Sequence, residues 1–248
     1  MIDERTRKLL IRNAEKYENA DFLPGDPSWF MHQVEGRENR EAMAFLASGL
    51  SYGSRAQFMG KIGLLMEWSE GNVADWIKDG AFEHNLPEGG KDCFYRLYTV
   101  AHMHEFIATY RKMLLEYGTM GNYVEANAKD SLGAVDAICR YFSANGSSPV
   151  VPKDTASACK RVCMFLRWMV RSGSPVDLGL WAHFIDRRTL IMPLDTHVLQ
   201  QSASLGLISG KCTSMATALR LTQAMAEVFP DDPLKGDFAL FGYGVNNK

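Results

Sequence analysis

The sequence predicts an all-α protein, and three observations carry that expectation. Apolar residues recur at helical spacing over most of the chain. The breaks between those stretches fall at Gly, Pro, Asn and Ser clusters, and no alternating strand-like run with a hairpin turn is found. In chain order, residues 38–52 place Ala42, Phe45, Leu46 and Leu50 near one face. Residues 56–68 repeat the pattern with Phe58, Ile62, Leu65 and Met66, and longer stripes run through 94–117 and 131–142. Punctuation lies at 23–27, 84–90, 143–149 and 171–175. About nine or ten helices with short connectors are expected.

Residues 154–171 are predicted as the most informative of these helices. Asp154, Thr155 and Ser157 offer carboxylate or hydroxyl caps at its start. Val162, Phe165, Leu166 and Met169 form a stripe for burial, while Lys160, Arg167 and Arg171 share another face. The pattern predicts a helix that packs on one side and presents cations on the other. Lys160 falls near the helix N-terminus, where the dipole favours anions. The stretch LIMPLDTHVLQQSASLGL, residues 190–207, follows. Pro193 holds the chain extended, Asp195 is a strong N-cap, and a helical pattern begins at once.

The chain has 248 residues, 46% hydrophobic and 23% charged, with a formal charge of −2, enough material for a substantial core. No run of about 18 apolar residues is present to span a membrane, and residues 1–17 are too charged for a signal peptide. Five scattered cysteines, Cys93, Cys139, Cys159, Cys163 and Cys212, point to a reduced cytoplasmic protein. Cys159 and Cys163 are four apart, but no further ligands are grouped near them, so no metal is expected. Residues 153–188 hold seven basic side chains against three acids, a local charge of +4 that leaves −6 on the remainder. Such a patch suits contact with a polyanion at one face, and a solvated charged face is the alternative.

The segment PLDTHV, followed by a helix ending in SLGL, resembles the segment that carries the catalytic aspartate in the endonuclease III-like, helix-hairpin-helix superfamily of DNA glycosylases. Three further stretches resemble that superfamily in the same chain order. Residues 42–57 look like its early helix and DNA-approaching loop, 160–171 like its lysine-headed helix, and GDFALFGYG (236–244) like its late helix. The FLRWMVR and PLDTHV segments also resemble the signatures of an uncharacterised bacterial family related to it. The resemblance implies a two-lobed helical fold with a central cleft. A helical-bundle lobe with a hairpin-like segment would cover 36–192, and a second lobe 1–35 plus 193–248, together one compact unit.

Damaged duplex DNA is the partner the resemblance implies. Asp195 takes the position of the carboxylate that stabilises positive charge on the sugar as an N-glycosidic bond breaks. Lys160 takes the position of the amine that attacks C1′ and forms a Schiff base. Arg161, Arg167 and Arg171 would depress its basicity and contact DNA, with Thr155 and Ser157 near the phosphates and Arg55 and Gln57 probing the duplex. His197 and Thr196 would support Asp195, and Tyr52, Trp168 and Trp181 are candidate stacking surfaces for a flipped base. The sequence departs from the superfamily in three ways. Residues 155–159 lack the Gly-x-Gly turn, and Lys160 and Asp195 stand 35 apart because of an insertion at 172–188, similar to an enlargement in some archaeal oxidised-guanine glycosylases. The chain also ends at Asn246, Asn247 and Lys248 without a four-cysteine loop, so no iron–sulfur cluster or other cofactor is expected. Two other readings remain open: a glycosylase-like fold that binds nucleic acid without catalysis, and a helical protein–protein module in which Asp195 only caps a helix.

Overall fold

The computed structural model describes residues 2–209 and 212–246; Asn247 and Lys248 lie outside the described residues. The expected all-α class holds. The helices are α1 (Glu4–Tyr17), α2 (Arg37–Leu50), α3 (Arg55–Trp68), α4 (Val73–Lys78), α5 (Phe82–Asn85) and, after a short hairpin, α6 (Val100–Tyr117). They continue with α7 (Met120–Asn127), α8 (Ser131–Asn145), α9 (Lys160–Val170), α10 (Thr196–Ser204), α11 (Met215–Ala226) and α12 (Lys235–Asn246). The hairpin pairs β1 (Cys93–Tyr95) with β2 (Tyr98–Thr99) and corrects the helix expected from residue 94. Arg96 turns the chain at φ 52°, and Thr99 then caps α6 by accepting from His102 N. These two residues hold the helix start back to Val100.

The chain divides into two compact units. Residues 1–23, 129–135 and 155–248 form one, and residues 24–128 with 136–154 form the other. This division differs from 36–192 against the two ends: α9 and the segment after it group with the terminal helices. The reason is ionic, since Arg171 reaches Glu18 beyond the end of α1 and Arg167 reaches Asp237 on α12.

In the second unit α2 is the core helix. Every residue from Glu41 to Leu50 is buried, as expected of a helix apolar on all sides. Phe45 packs on Phe106, Tyr110 and Phe142. Gly49 is needed there, because a Cβ would lie 3.0 Å from both Phe106 and Val150. The charged exception to the apolar pattern is Glu41, 3% exposed, whose two carboxylate oxygens accept from Met120 N (2.8 Å) and Gly121 N (3.2 Å). A buried carboxylate thus occupies the positive end of α7 and satisfies donors the helix cannot satisfy itself.

In the first unit α1 packs along α12, and α10 packs on α12 as well. Phe22 contacts both Phe238 and Phe241 edge-on, fixing the residues after α1 against the same helix. The helix expected over 154–171 begins only at Lys160. Cys159, at φ 45°, is left-handed and breaks the helical run, so Asp154, Thr155 and Ser157 sit on the approach rather than in the first turn.

Replacing Glu41 by Ala leaves two buried N–H donors without their acceptor. Destabilisation of about 2–3 kcal/mol is expected in urea denaturation, with a smaller loss for Glu41→Gln, which retains a carbonyl acceptor.

Candidate active site

Asp195 occupies the position the sequence predicts. Its Oδ1 accepts from Val198 N at 2.7 Å and caps α10, with φ −92° and ψ 176° at the cap. The extended approach is fixed by Met192 N, which donates to Thr222 Oγ1 on α11 at 2.9 Å. Asp195 is half-buried and Thr196 is exposed. His197, half-buried, sets its ring edge-on to Phe241 of α12, 5.8 Å between centroids at 82°.

Lys160 is the first residue of α9 and is half-buried, as is Arg161. The side chain of the N-cap residue, Cys159, makes no capping hydrogen bond. Ser157 Oγ accepts from Cys159 N at 3.4 Å, and Ala158 N donates to Thr213 O at 3.3 Å, holding the approach loop against the residues before α11. Thr155 is half-buried and Ser157 exposed. Cys159 and Cys163 are both buried, and burial, with Cys159 beside it, pushes the Cys163 thiol well up.

Arg167 and Arg171 require a correction. Expected to face a polyanion and to influence Lys160, they are 5% and 2% exposed. Arg171 Nε donates to Asp232 Oδ1 at 2.9 Å, and Nη2 reaches Glu18 at 2.6 Å and Asp232 at 2.8 Å. Its Nη1 pairs with Asp177. Arg167 Nε donates to Asp177 Oδ1 at 3.2 Å, and its Nη1 pairs with Asp237. The Phe238 ring lies 4.6 Å from the Arg167 guanidinium and 5.2 Å from that of Arg171. Burial alone would lower the pKa of Arg171; Asp177, Asp232 and Glu18 outweigh it and keep the group charged. The physical reason for the reversal is that four carboxylates, three of them from distant parts of the chain, converge on this helix face.

The insertion at 172–188 supplies one of them. Leu178 N and Gly179 N donate to Trp168 O at 2.8 and 3.2 Å, and Trp181 N donates to Met169 O at 2.7 Å. The insertion therefore caps the C-terminal carbonyls of α9 with its own backbone. Gly179, at φ 63°, permits the close return, since a Cβ would lie 2.8 Å from Ser172 Cα. Trp168 and Trp181 are fully buried by this closure and are core residues, which corrects their reading as stacking surfaces for a base. The same segment borders two open cavities of about 550 and 630 Å³, both lined by Ser172 and Arg187. Neither is lined by Lys160 or Asp195.

Asp237 is the residue that sequence reasoning missed, although it lies within GDFALFGYG. It is buried on α12 and ion-paired with Arg167. Burial raises its pKa to about 6; Arg167 opposes that shift, while the like charges of Asp195 and Asp177 reinforce it. α12, which carries Asp237, also packs on α10. Lys160 stands seven residues before Arg167 on that helix, about 10 Å of axial rise.

The other predicted residues belong to the second unit. Arg55 and Gln57 are exposed in the first turn of α3. Tyr52 is half-buried in a cluster with Tyr95 and Tyr98, 5.1 and 5.2 Å between centroids, and Arg96 covers its ring at 5.6 Å.

With this geometry in place, the comparison with protein families is direct. The model of a family of proteins of unknown function, DUF2400, matches residues 26–246. The chain belongs to that family. No curated protein and no solved structure was found to match it. The family match thus spans α2 to α12, including both Lys160 and Asp195.

Asp237 gives the stability a pH dependence with a definite sign. Its carboxyl titrates near 3.8 when unfolded and near 6 when folded, so between these values the folded chain binds more protons. Its contribution is complete below about pH 4 and is lost as pH rises through 6. The difference in unfolding free energy between wild type and Asp237→Asn should fall by about 2–3 kcal/mol from pH 4 to 7. Urea denaturation across that range checks it, and a difference that rises with pH would refute it.

Proposed function

We propose that this protein is a base-excision DNA glycosylase of glycosylase-like helical architecture, acting in the cytoplasm on damaged duplex DNA. The reading rests on the resemblance of PLDTHV and the lysine-headed helix to the endonuclease III-like superfamily. The observation that carries it is the setting of Asp195. Its carboxylate is half-buried and fixed by the bond from Val198 N at the start of α10, which packs on α12. A carboxylate so held changes position little as charge develops, which is what electrostatic stabilisation of a breaking glycosidic bond requires. In this mechanism the bond between C1′ and the base lengthens, positive charge spreads over the sugar ring, and Asp195 stabilises it while a nucleophile adds at C1′.

Water is the nucleophile for simple hydrolysis. Lys160 is the nucleophile for the lyase route, in which its amine forms a Schiff base with C1′. The N-terminal end of α9 disfavours a further positive charge there, but Arg167 and Arg171 contribute nothing to this, because carboxylates neutralise them. Arg161, Thr155 and Ser157 in this unit and Arg55 and Gln57 in the other are the groups proposed to contact DNA. His197 supports Asp195 from within α10. Hydrolysis is therefore the primary activity proposed, and lyase activity the secondary one.

Borohydride trapping on oligonucleotides carrying oxidised guanine, uracil, alkylated purines or abasic sites tests both. Wild-type protein should cleave at least one lesion, Asp195→Asn should lower the rate about a hundredfold or more, and Lys160→Ala should abolish the trapped adduct. Salt-dependent binding without cleavage would favour a nucleic-acid-binding role without catalysis. Absence of binding at low salt would leave a helical interaction module as the reading.

A further inference from the structure

With Arg167 and Arg171 buried, the exposed positive charge of the first unit lies elsewhere, and α1 carries four such cations. They are Arg5, Lys8, Arg12 and Lys16, all exposed. Spacings of three, four and four keep them on one side, within about 80° of arc at 100° per residue. The buried residues Thr6, Leu10, Asn13 and Ala14 occupy the side that packs along α12. Acids take the remaining side: Glu4, Glu15 and, just beyond the helix, Glu18. Glu15 and Glu18 line the cavity of about 630 Å³ together with Ile11. The two signs of charge are therefore segregated along α1, with the basic ridge turned away from the cavity.

Little answers this ridge from within the chain. Lys8 reaches Glu4 at 3.5 Å, a pair so exposed that water screens most of its attraction. Arg5, Arg12 and Lys16 have no ion pair among the described residues. Lys16 Nζ rests 4.9 Å from the centre of the Tyr17 ring, which steers the charge without neutralising it. The helix beneath is tied at both ends. Ile2 N donates to Glu227 Oε2 at 3.2 Å and Arg7 Nη1 to Glu227 O at 2.6 Å, while Arg171 holds Glu18 beyond the other end. The four cations thus follow a fixed line of about 16 Å of axial rise. A row of like charges calls for a linear counter-charge, and a DNA strand supplies one phosphate per about 3.4 Å of its axis. A lipid surface fits less well, because a helix lying on a membrane needs a free apolar side. In α1 that side is closed, with Leu10 at 0% and Ala14 at 3% exposure.

We propose that the ridge formed by Arg5, Lys8, Arg12 and Lys16 is a sequence-independent contact surface for the phosphate backbone of DNA. It rests on the reading of this chain as one that acts on DNA, and it adds a surface to the groups around α9 and α3. α1 packs along α12, and α12 packs on α10, so the ridge belongs to the unit that carries Asp195. Contacts of this kind hold and orient a duplex without reading its bases. The lesion is therefore chosen by other groups, and the ridge adds affinity for damaged and undamaged DNA alike.

Fluorescence anisotropy with a short unmodified duplex, over a series of salt concentrations, tests the ridge on the full chain. Combined Arg5→Gln, Arg12→Gln and Lys16→Gln should weaken binding about tenfold or more at low salt, and should make the slope of log affinity against log salt shallower by about 2–3. A control removes the same charge elsewhere, by Lys91→Gln, Lys112→Gln and Lys129→Gln at three exposed lysines. It should change the slope by less than one. Arg5→Lys with Arg12→Lys keeps the charge and should keep the wild-type slope, and the changed side chains are all exposed, so the fold is retained. Equal changes in ridge variant and control overturn the proposal, since overall charge alone would then explain both. An unchanged slope in the ridge variant overturns it as well. So does loss of binding to phosphatidylserine vesicles with duplex binding intact, which would make the ridge a lipid contact. Lesion cleavage read on the same proteins separates this proposal from the glycosylase reading. Ridge-dependent duplex binding without cleavage of any lesion upholds the ridge and overturns the enzyme. Cleavage with a salt dependence indifferent to the ridge variant upholds the enzyme and overturns the ridge.

Discussion

Arg167 and Arg171 project from consecutive turns of α9 into a region closed to water, where a guanidinium is tolerated only if carboxylates reach it. Glu18, Asp177, Asp232 and Asp237 do so from four separate stretches of chain. Removing either arginine leaves carboxylates buried without a counter-charge, which is costlier than the pair itself is favourable. The placement of the residues after α1, the insertion, the turn before α12 and α12 itself therefore depends on these two side chains. Phe238, lying against both guanidinium groups, adds an aromatic face to the same arrangement.

That requirement also sets the chemistry nearby. The insertion closes the end of α9 through backbone donors and delivers Asp177 between the two arginines. Asp177 shares Arg167 with Asp237, and α12 in turn packs on α10, where His197 meets Phe241. Arg167 and Arg171, though basic, therefore belong to the interior of this unit and not to a charged surface.

Much of this was legible in the sequence. The stripes over 38–52, 56–68 and 131–142 correspond to α2, α3 and α8, because helical period is a local property. Asp195 as N-cap was equally local: a proline, an acid and a helical run specify it within a few residues. Arg167 and Arg171 were correctly placed on one face, but spacing cannot say whether that face meets water or acids 61, 70 and 153 positions away. The hairpin over 93–99 is too short to show alternation, and the late start of α9 turns on one left-handed backbone at Cys159, a non-glycine residue without a compositional signal. Asp237 looked like an acid in the first turn of a helix; only the tertiary pairing with Arg167 marks it as unusual.

The packing of α1 along α12 has a consequence for synthesis on the ribosome. Residues 24–128 and 136–154, which make up one unit, have all been made before α9 begins. α1 must wait for α12, the helix it packs along. Arg171 likewise precedes Asp232 by 61 positions and has no carboxylate from that turn until it is translated. The unit that holds Asp195 therefore forms through contacts of high sequence separation, whose loop-closure entropy is met only once α12 has been made. Until α12 is made, α1 is an amphipathic segment without that partner, the period in which a helix of this kind is most exposed to chaperones and to aggregation.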